Sequence, residues 1–323
     1  RCRIDMGLLV CCLHLFRRSA IANGLPKPTD MNPIPYESRY MLNAPISLFI
    51  PGLNDGGAQK VVVNLANALV DLTERPINIV LARAEGEFLH EVRQEVEVID
   101  LGKQRASRAV PALAAYLRHA RPAVLCSSLN YANVCAAIAW RLAGRPCRLV
   151  VREDSVVRPP QGGAHQRLRM YMIQRLMAWL YREADSVVAI SEAVAQTLTD
   201  RGITTPGRIT VIGNPITVSL PDKKSSTPYA SQLGIDAPYI CCIGRLAEAK
   251  GFDVLLEAFA RLPMSDLHLV ILGEGPLRVS LEETTRLLGI AKRVHLPGFV
   301  PQPERVLAGA DLFVLSSRWE GFG

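Results

Sequence analysis

Two basic residues flank a short loop near the middle of the chain, and their chemistry suits an anion. The apolar run Tyr239–Ile243 predicts a buried strand, and residues 251–262 have the apolar periodicity of a helix. Gly244, Arg245 and Lys250 are therefore predicted in the loop at the carboxyl end of a strand, where open α/β sheets bind ligands. Two cations beside a glycine turn and a helix start suit a diphosphate. Two solvated surface charges are the alternative interpretation.

Short apolar runs and amphipathic segments alternate on both sides of this loop. Before it, strands are predicted at residues 45–51, 77–82, 96–99, 123–126, 148–152, 186–190 and 209–212, with a helix after each of the first six. After a Pro- and Ser-rich linker at residues 219–238, strands are predicted at 239–243, 267–272, 294–296 and 311–315. Such alternation predicts parallel sheets with helices on both faces. The fold class is therefore α/β, with two Rossmann-like, doubly wound domains facing across a cleft and the second domain incomplete.

Composition and length agree with a two-domain protein. We expect residues 1–41 to be an unstructured or non-native extension, 42–218 to form the first domain and 219–323 the second. Hydrophobic residues make up 49% of the chain and charged residues 21%, which is ordinary for a globular protein. The apolar run of residues 7–16 is too short to span a bilayer. The eight cysteines form no Cys-x-x-Cys pair and no metal-ligand spacing, so we expect free thiols in the cytoplasm and no metal site.

Six short motifs resemble one enzyme family when they are taken in order. They are Gly56-Gly57-Ala-Gln-Lys-Val, Val211-Ile-Gly-Asn214-Pro215, Ile243-Gly244-Arg245 with Lys250-Gly251, Leu272-Gly-Glu-Gly-Pro276, Val294-His-Leu-Pro-Gly298-Phe-Val and Leu315-Ser-Ser-Arg-Trp-Glu320-Gly-Phe-Gly323. Together they resemble the retaining glycosyltransferases of family 4, which have the GT-B fold. The resemblance covers residue 45 to the end of the chain.

The resemblance implies a donor site in the second domain. Arg245 and Lys250 match the pair that binds the donor diphosphate, and Glu320 matches the first acid of the family's Glu-x₇-Glu motif, which holds hydroxyls of the donor sugar. Fixed cations aimed at a departing diphosphate would stabilise the transition state more than the ground state. The other implied donor-binding residues are Gly244, Gly273, Glu274, Phe299, Val300, Gly321, Phe322 and Gly323.

The acceptor side departs from the family pattern. Gly56 and Gly57 match its glycine loop, although a plain strand–helix turn capped by Asp55 is the alternative interpretation. Tyr131 and Glu153 complete the acceptor-side residues. Related chains often have a histidine at the position of Tyr131 and another beside the position of Glu153. Tyrosine donates a hydrogen bond but stays neutral, so the acceptor's identity stays open.

The implied activity is transfer of a hexose or N-acetylhexosamine from a nucleotide-diphosphate sugar, UDP rather than GDP, to a glycan or polyprenyl-linked acceptor in envelope or exopolysaccharide synthesis. No Asp-x-Asp pair is present to hold a divalent cation, so we expect no metal and no cofactor. No carboxylate pair is placed for double displacement. The resemblance implies front-face transfer with retention, in which the leaving phosphate helps to deprotonate the incoming hydroxyl. Two alternatives are a nucleotide-sugar 2-epimerase and an inactive fragment, because the second acid of the motif would lie beyond Gly323.

Basic residues concentrate in one part of the first domain. The whole chain has a formal charge of +7, and residues 141–182 contain nine arginines and two acidic residues. The predicted helix 166–182 combines arginines with Leu168, Met172, Leu176 and Trp179. We expect it to dock on an anionic membrane at the inner face of the plasma membrane, and we expect no nucleic-acid partner. The alternative is a core-packed helix whose apolar side covers the sheet.

Overall fold

A computed structural model of the chain describes residues 43–54, 56–157, 163–215, 235 and 237–322. The chain divides into two compact units, and the boundary lies at residues 216–217, two residues before the predicted one. The predicted extension 1–41 and most of the predicted linker lie outside the described residues. Each unit is an open parallel sheet with helices between its strands, which confirms the predicted α/β class.

The first unit has seven parallel strands in the order β3-β2-β1-β4-β5-β6-β7. The strands are β1 (Ile46–Ile50), β2 (Ile77–Leu81), β3 (Val96–Asp100), β4 (Val124–Ser128), β5 (Arg148–Glu153), β6 (Ser186–Ala189) and β7 (Ile209–Val211). The helices are α1 (Gly57–Leu72), α2 (Ala106–Ala120), α3 (Asn130–Leu142), α4 (Ala164–Tyr181) and α5 (Glu192–Asp200). The strand order reverses between β1 and β4, and the carboxyl edge at such a reversal is where open α/β sheets bind ligands.

Burial follows the apolar pattern of each element. All five residues of β1 and of β2 are buried, as expected for central strands covered on both faces. Helix α1 buries one side through Val61, Val62, Leu65 and Leu69. Cys241 and Cys242 are buried free thiols, and burial raises the pKa of Cys241 to about 11 and that of Cys242 to about 12.

The prediction of a helix between β2 and β3 is wrong. The segment contains one 3₁₀ turn, Glu87–Glu91. Its start is bound to the loop after β1, because Leu53 N donates to Glu85 O at 2.9 Å and Phe88 N donates to Leu53 O at 3.0 Å. These long-range backbone bonds use groups that a continuous helix would need for itself.

The second unit has four parallel strands in the order β10-β9-β8-β11. The strands are β8 (Tyr239–Ile243), β9 (His268–Leu272), β10 (Val294–Gly298) and β11 (Leu312–Phe313), and the helices are α6 (Phe252–Ala260), α7 (Arg278–Leu287) and α8 (Pro303–Ala308). Parallel pairing brings the carboxyl ends of all four strands to one edge of the sheet. The loops that carry the predicted donor site all leave from that edge.

Candidate active site

Glycines let the loops after β8 and β9 lie against each other. Gly273 has a φ of 131°, and a Cβ there would lie 2.2 Å from the carbonyl oxygen of Gly244. A Cβ on Gly275 would lie 2.4 Å from the carbonyl oxygen of Leu246. The backbone nitrogen of Leu246 donates to the carbonyl of Glu274 at 2.9 Å. Any side chain at either glycine would push the two loops apart.

Lys250 and Glu320 meet at this edge. Lys250 ends a 3₁₀ turn, Glu248–Lys250, and its Nζ lies 2.5 Å from Oε1 of Glu320. The same oxygen accepts a hydrogen bond from the hydroxyl of Ser317. Both charged side chains are 23% exposed, so the pair is partly shielded from water but remains reachable by a ligand.

The segment that carries Glu320 is held against the turn that carries Lys250. Ser316 Oγ donates to the carbonyl oxygen of Lys250 at 2.8 Å. Gly251, the next residue, has a φ of 62°, and a Cβ there would lie 2.3 Å from the carbonyl oxygen of Ser316. The ion pair therefore depends on a close approach that only glycine allows.

Arg245 points to solvent at the end of β8 and is exposed. Within the part of the chain that the structure describes, its guanidinium has no hydrogen-bond or ion-pair partner. A guanidinium has five N–H donors in a planar fork, which suits phosphate oxygens. The structure thus leaves the donors of Arg245 available on the loop that also carries Lys250.

Glu274 is engaged by a neighbouring arginine. Its carboxylate accepts from Arg278 Nε at 2.8 Å and Nη2 at 2.5 Å, and Arg278 Nη1 also donates to the carbonyl of Leu296 at 3.1 Å. Hydrogen bonding from Arg278 is the main reason that the pKa of Glu274 is lowered. A Cβ on Gly298 would lie 2.7 Å from Glu274 Oε1, so this acid also packs against the end of β10.

The remaining predicted donor-binding residues differ in accessibility. Val300 is buried at 7% exposure, which leaves its backbone as the group a ligand could meet. Phe299 and Gly321 are partly buried, and Phe322 is exposed. Gly323 lies outside the described residues.

Predicted acceptor-side residues lie at the carboxyl edge of the first sheet. Helix α1 begins at Gly57, and its N-cap Gly56 supplies no side-chain hydrogen bond; Asp55, the predicted cap, lies outside the described residues. No acidic residue occupies the first turn of α1, so its amides are not neutralised locally. Tyr131, in the first turn of α3, is 55% exposed.

Glu153 is placed differently, because it is fully buried at the end of β5. Its Oε1 accepts a hydrogen bond from the hydroxyl of Tyr181 and one of 2.9 Å from Asn133 Nδ2. Ser127 Oγ donates to Asn133 Oδ1 at 2.7 Å. Burial raises the pKa of Glu153 to about 7, against the opposing effect of the hydrogen bonds from Tyr181 and Asn133. At 0% exposure its carboxyl does not reach an acceptor in this structure.

A second buried cluster adjoins the first. Arg152 is 2% exposed and forms an ion pair with Asp154. Arg152 Nη2 donates to Asn214 Oδ1, and the backbone nitrogen of Leu129 donates to Asp154 Oδ2 at 3.0 Å. The Asn214-Pro215 motif therefore binds a buried arginine, a role that its local sequence does not indicate.

Five apolar side chains form an exposed stripe along α4. They are Leu168, Tyr171, Met172, Leu176 and Trp179, with exposures from 37% to 60%. Their spacing places them on one side of the helix, together with exposed Arg175. The sheet is instead covered by Met177, Leu180 and Tyr181. The interpretation of this stripe as core packing is therefore wrong.

Some residues of these sites were missed from sequence. Ser316 and Ser317, which fix the Glu320 segment, had one signal: two hydroxyls directly after an apolar strand. Ser127, Asn133 and Tyr181 had no local signal, because only burial next to a carboxyl shows their role.

Among the described residues, no three His, Cys, Asp or Glu side chains are grouped to hold a metal ion. No helix in the described ranges is long and apolar enough to cross a bilayer.

Known proteins match both units. Residues 56–215 match the "Glycosyl transferase 4-like domain" model and residues 227–323 match "Glycosyl transferases group 1". The N-acetylgalactosamine-N,N'-diacetylbacillosaminyl-diphospho-undecaprenol 4-alpha-N-acetylgalactosaminyltransferase of Campylobacter jejuni is 25% identical over 86% of this chain and 75% of that protein. The lipopolysaccharide core biosynthesis glycosyltransferase LpsE of Rhizobium meliloti is 33% identical over 44% of this chain and 40% of its own length.

A solved structure has a similar fold over most of the chain. Anabaena HepE in complex with UDP and glucose superposes with a TM-score of 0.70 at 21% identity, over 85% of this chain and 74% of that one. The two family models match the two units in the order that the motifs predict. The chain belongs to the GT-B glycosyltransferases. It combines a glycosyltransferase 4-like domain with a group 1 domain.

Proposed function

We propose that this protein transfers a hexose or an N-acetylhexosamine from a UDP-sugar to a lipid-linked or glycan acceptor, with retention of the anomeric configuration. The observation that carries the proposal is the ion pair between Lys250 and Glu320, together with Arg245 on the same loop as Lys250, whose guanidinium has no partner among the described residues. The relatives support the substrate classes. HepE binds UDP and glucose, and the Campylobacter enzyme is named for a diphospho-undecaprenol acceptor.

Charge development explains the proposed roles of the two cations. When the bond between the sugar's anomeric carbon and the diphosphate breaks, negative charge grows on the leaving oxygen. Arg245 and Lys250 lie on the loop after β8, from which both can reach a diphosphate at the sheet edge. Fixed donors aimed at this charge lower the barrier more than they strengthen substrate binding. In this proposal the two residues replace a divalent cation.

Glu320 has two tasks in this proposal. Its second carboxylate oxygen, Oε2, accepts hydrogen bonds from hydroxyls of the donor sugar, while Oε1 orients Lys250 and Ser317. The acceptor hydroxyl then attacks the anomeric carbon from the face that the diphosphate leaves. Its proton passes to the departing phosphate oxygen, so no protein nucleophile is needed and the configuration is retained. Glu153 does not fit a nucleophile's role, because it is fully buried.

The proposal is tested with purified protein, UDP-sugars and a short polyprenyl-diphosphate glycan. We expect transfer that persists in EDTA and gives a product whose anomeric proton coupling matches that of the donor. Activity lost in EDTA and restored by Mg²⁺ or Mn²⁺ would contradict direct charge neutralisation by Arg245 and Lys250. An inverted product would contradict front-face transfer.

We also propose that the α4 stripe docks the first unit on an anionic membrane surface, where a lipid-linked acceptor is located. Apolar residues that line one exposed side of a helix, with Arg167 and Arg175 also exposed, suit the headgroup region. Each basic residue near an anionic surface contributes about 1 kcal/mol of attraction. Trp179 ends the stripe, and Arg141 of α3 stacks on its ring at 4.1 Å while it also pairs with Glu183.

A further inference from the structure

Four polar side chains meet inside the first unit, at the ends of four different elements. Ser127 comes from β4, Asn133 from α3, Glu153 from β5 and Tyr181 from the last turn of α4. Asn133 is the central member, because Nδ2 also donates to the carbonyl oxygen of Arg152 at 2.9 Å. Each of the four is nearly or fully inaccessible to water, at 0% exposure. A buried network of this kind fixes the relative position of the elements that it joins.

The two oxygens of Glu153 are in unequal surroundings. Oε1 accepts from both Tyr181 and Asn133, whereas Oε2 is buried and has no hydrogen-bond partner among the described residues. An ionised carboxylate spreads its charge over both oxygens, so a buried oxygen without a donor is costly. In the neutral acid, Oε1 is the carbonyl oxygen and keeps both donors, while Oε2 carries the proton. Oε2 lacks a partner in both forms, but only the ionised form places buried negative charge on it, so these surroundings favour the neutral acid.

We propose that Glu153 is a positioning residue that acts in its protonated form and, through Asn133, holds the first turn of α3 and Tyr131 in place at the carboxyl edge. The proposal rests on the proposed function only in assigning Tyr131 to the acceptor. Asn133 lies two residues after Tyr131, within the same helical turn, so a shift of Asn133 moves both. Tyr181 ties the same carboxyl to α4.

The charged and titratable groups that face Glu153 are few. Asp154 disfavours its ionised form and Arg152 favours it, but these two are paired with each other. From α4 the facing group is the Tyr181 hydroxyl, and α3 and β4 contribute the neutral side chains of Asn133 and Ser127. The proton of Glu153 is therefore controlled mainly by burial.

A raised pKa in the folded state fixes the sign of the pH effect. Between the usual pKa of 4.5 and about 7, the folded chain binds a proton that the unfolded chain does not. The stabilisation by Glu153 is therefore complete at acidic pH and is lost as the pH rises through about 7. A glutamine at this position imitates the neutral acid at every pH.

The direct test is a carboxyl titration by ¹³C NMR with labelled glutamate, in which the Glu153 signal is the one lost in Glu153→Gln. We expect a midpoint near 7, and a midpoint near 4.5 would overturn the proposal. Tyr181→Phe removes one donor to Oε1 and should raise the midpoint further. Tyr116→Phe is the matched control, since Tyr116 is a part-buried tyrosine bonded to Ser47 and Asn78 instead of a carboxyl. It should leave the midpoint unchanged.

Thermal melts and kinetics complete the test. The parent protein should lose thermal stability relative to Glu153→Gln as the pH rises from about 5 to about 8. The melting temperature of the variant minus that of the parent should therefore increase over this range. Glu153→Gln should keep transfer and hold the acceptor KM constant across that range, whereas the parent's acceptor KM rises above pH 7 and its donor KM does not. A folded Glu153→Gln protein without transfer, beside an active parent, would overturn the proposal because the ionised form would then be required. If the parent itself transfers no sugar, the proposed function fails, and the NMR midpoint still decides the state of Glu153.

Discussion

Nζ of Lys250 lies 2.5 Å from Oε1 of Glu320, although 70 residues separate them in the chain. An ammonium group has three hydrogen-bond donors, and Glu320 uses one of them. The same lysine can therefore bind Glu320 and phosphate oxygens at once. The pair brings the group proposed to neutralise the diphosphate next to the group proposed to hold the donor sugar.

Replacing Lys250 or Arg245 by alanine should lower turnover about 10²–10³-fold, because each change removes a donor to developing charge. Lys292→Ala is the control, since Lys292 is an exposed cation on the loop before β10, away from the carboxyl edge. It should leave turnover unchanged. Steady-state kinetics with circular dichroism as a folding check would measure both, and near-normal turnover in both site variants would remove these residues from the site.

Gly251→Ala should disrupt the site through the backbone. The positive φ alone costs an alanine about 1 kcal/mol, and the added Cβ would also displace Ser316, whose carbonyl lies 2.3 Å away. Gly289→Ala carries the same conformational cost at a φ of 69° but meets nothing within 4 Å. We expect both variants to lose stability in denaturant melts and only Gly251→Ala to lose transfer. Equal activity in the two would show that the Ser316 contact does not position Glu320.

The two histidines at the start of β9 and β10 should make the second unit acid-sensitive. His268 Nδ1 and His295 Nε2 are 2.8 Å apart, and burial followed by the charge of His268 lowers the pKa of His295 below 6.5. The unfolded chain then binds more protons below pH 6.5, so stability is full above that pH and falls as the pH drops. This pH dependence of stability has the opposite sign to that proposed for Glu153 in the first unit.

Chemical denaturation between about pH 8 and pH 5 would measure this effect. His295→Gln should reduce the decrease in the free energy of unfolding at acidic pH. His119→Gln, which changes an exposed histidine of α2, should leave that decrease unchanged. If His295→Gln loses as much stability at acidic pH as the parent protein does, other groups cause the effect.

Membrane docking by the α4 stripe predicts binding to vesicles that contain phosphatidylglycerol and little binding to pure phosphatidylcholine. Co-sedimentation should weaken with salt, because screening shortens the reach of the arginines. Leu168→Ser combined with Met172→Ser should reduce binding severalfold, and so should changing Arg167, Arg169 and Arg175 to glutamine. Leu287→Ser is the control, because Leu287 is 82% exposed but lies on α7 of the second unit. Equal binding to neutral vesicles, or equal loss in the control, would contradict the proposal.

The sequence by itself determined the local features of the fold and of the donor loops. Most of the parallel strands are short apolar runs closed by glycine or polar residues, so the strands from Ile46 to Phe313 could be predicted from the local sequence pattern. Gly244, Arg245 and Lys250 were predicted at a strand's carboxyl end because a strand and the loop that leaves it are adjacent in sequence. Sequence order fixes such neighbours directly.

Only the tertiary structure decided what distant residues do to one another. Glu153 was predicted among the acceptor-side residues, but packing of α4 buries it beneath Tyr181 and makes it a candidate for the neutral form. Leu168 and Met172 looked equally suited to the core and to the surface, since helical periodicity shows that a face exists but not what covers it. The segment between β2 and β3 is a turn because the backbone of Leu53, on another loop, forms hydrogen bonds with two of its backbone groups. Burial and hydrogen bonding between distant segments are properties of the folded chain, and a local pattern does not contain them.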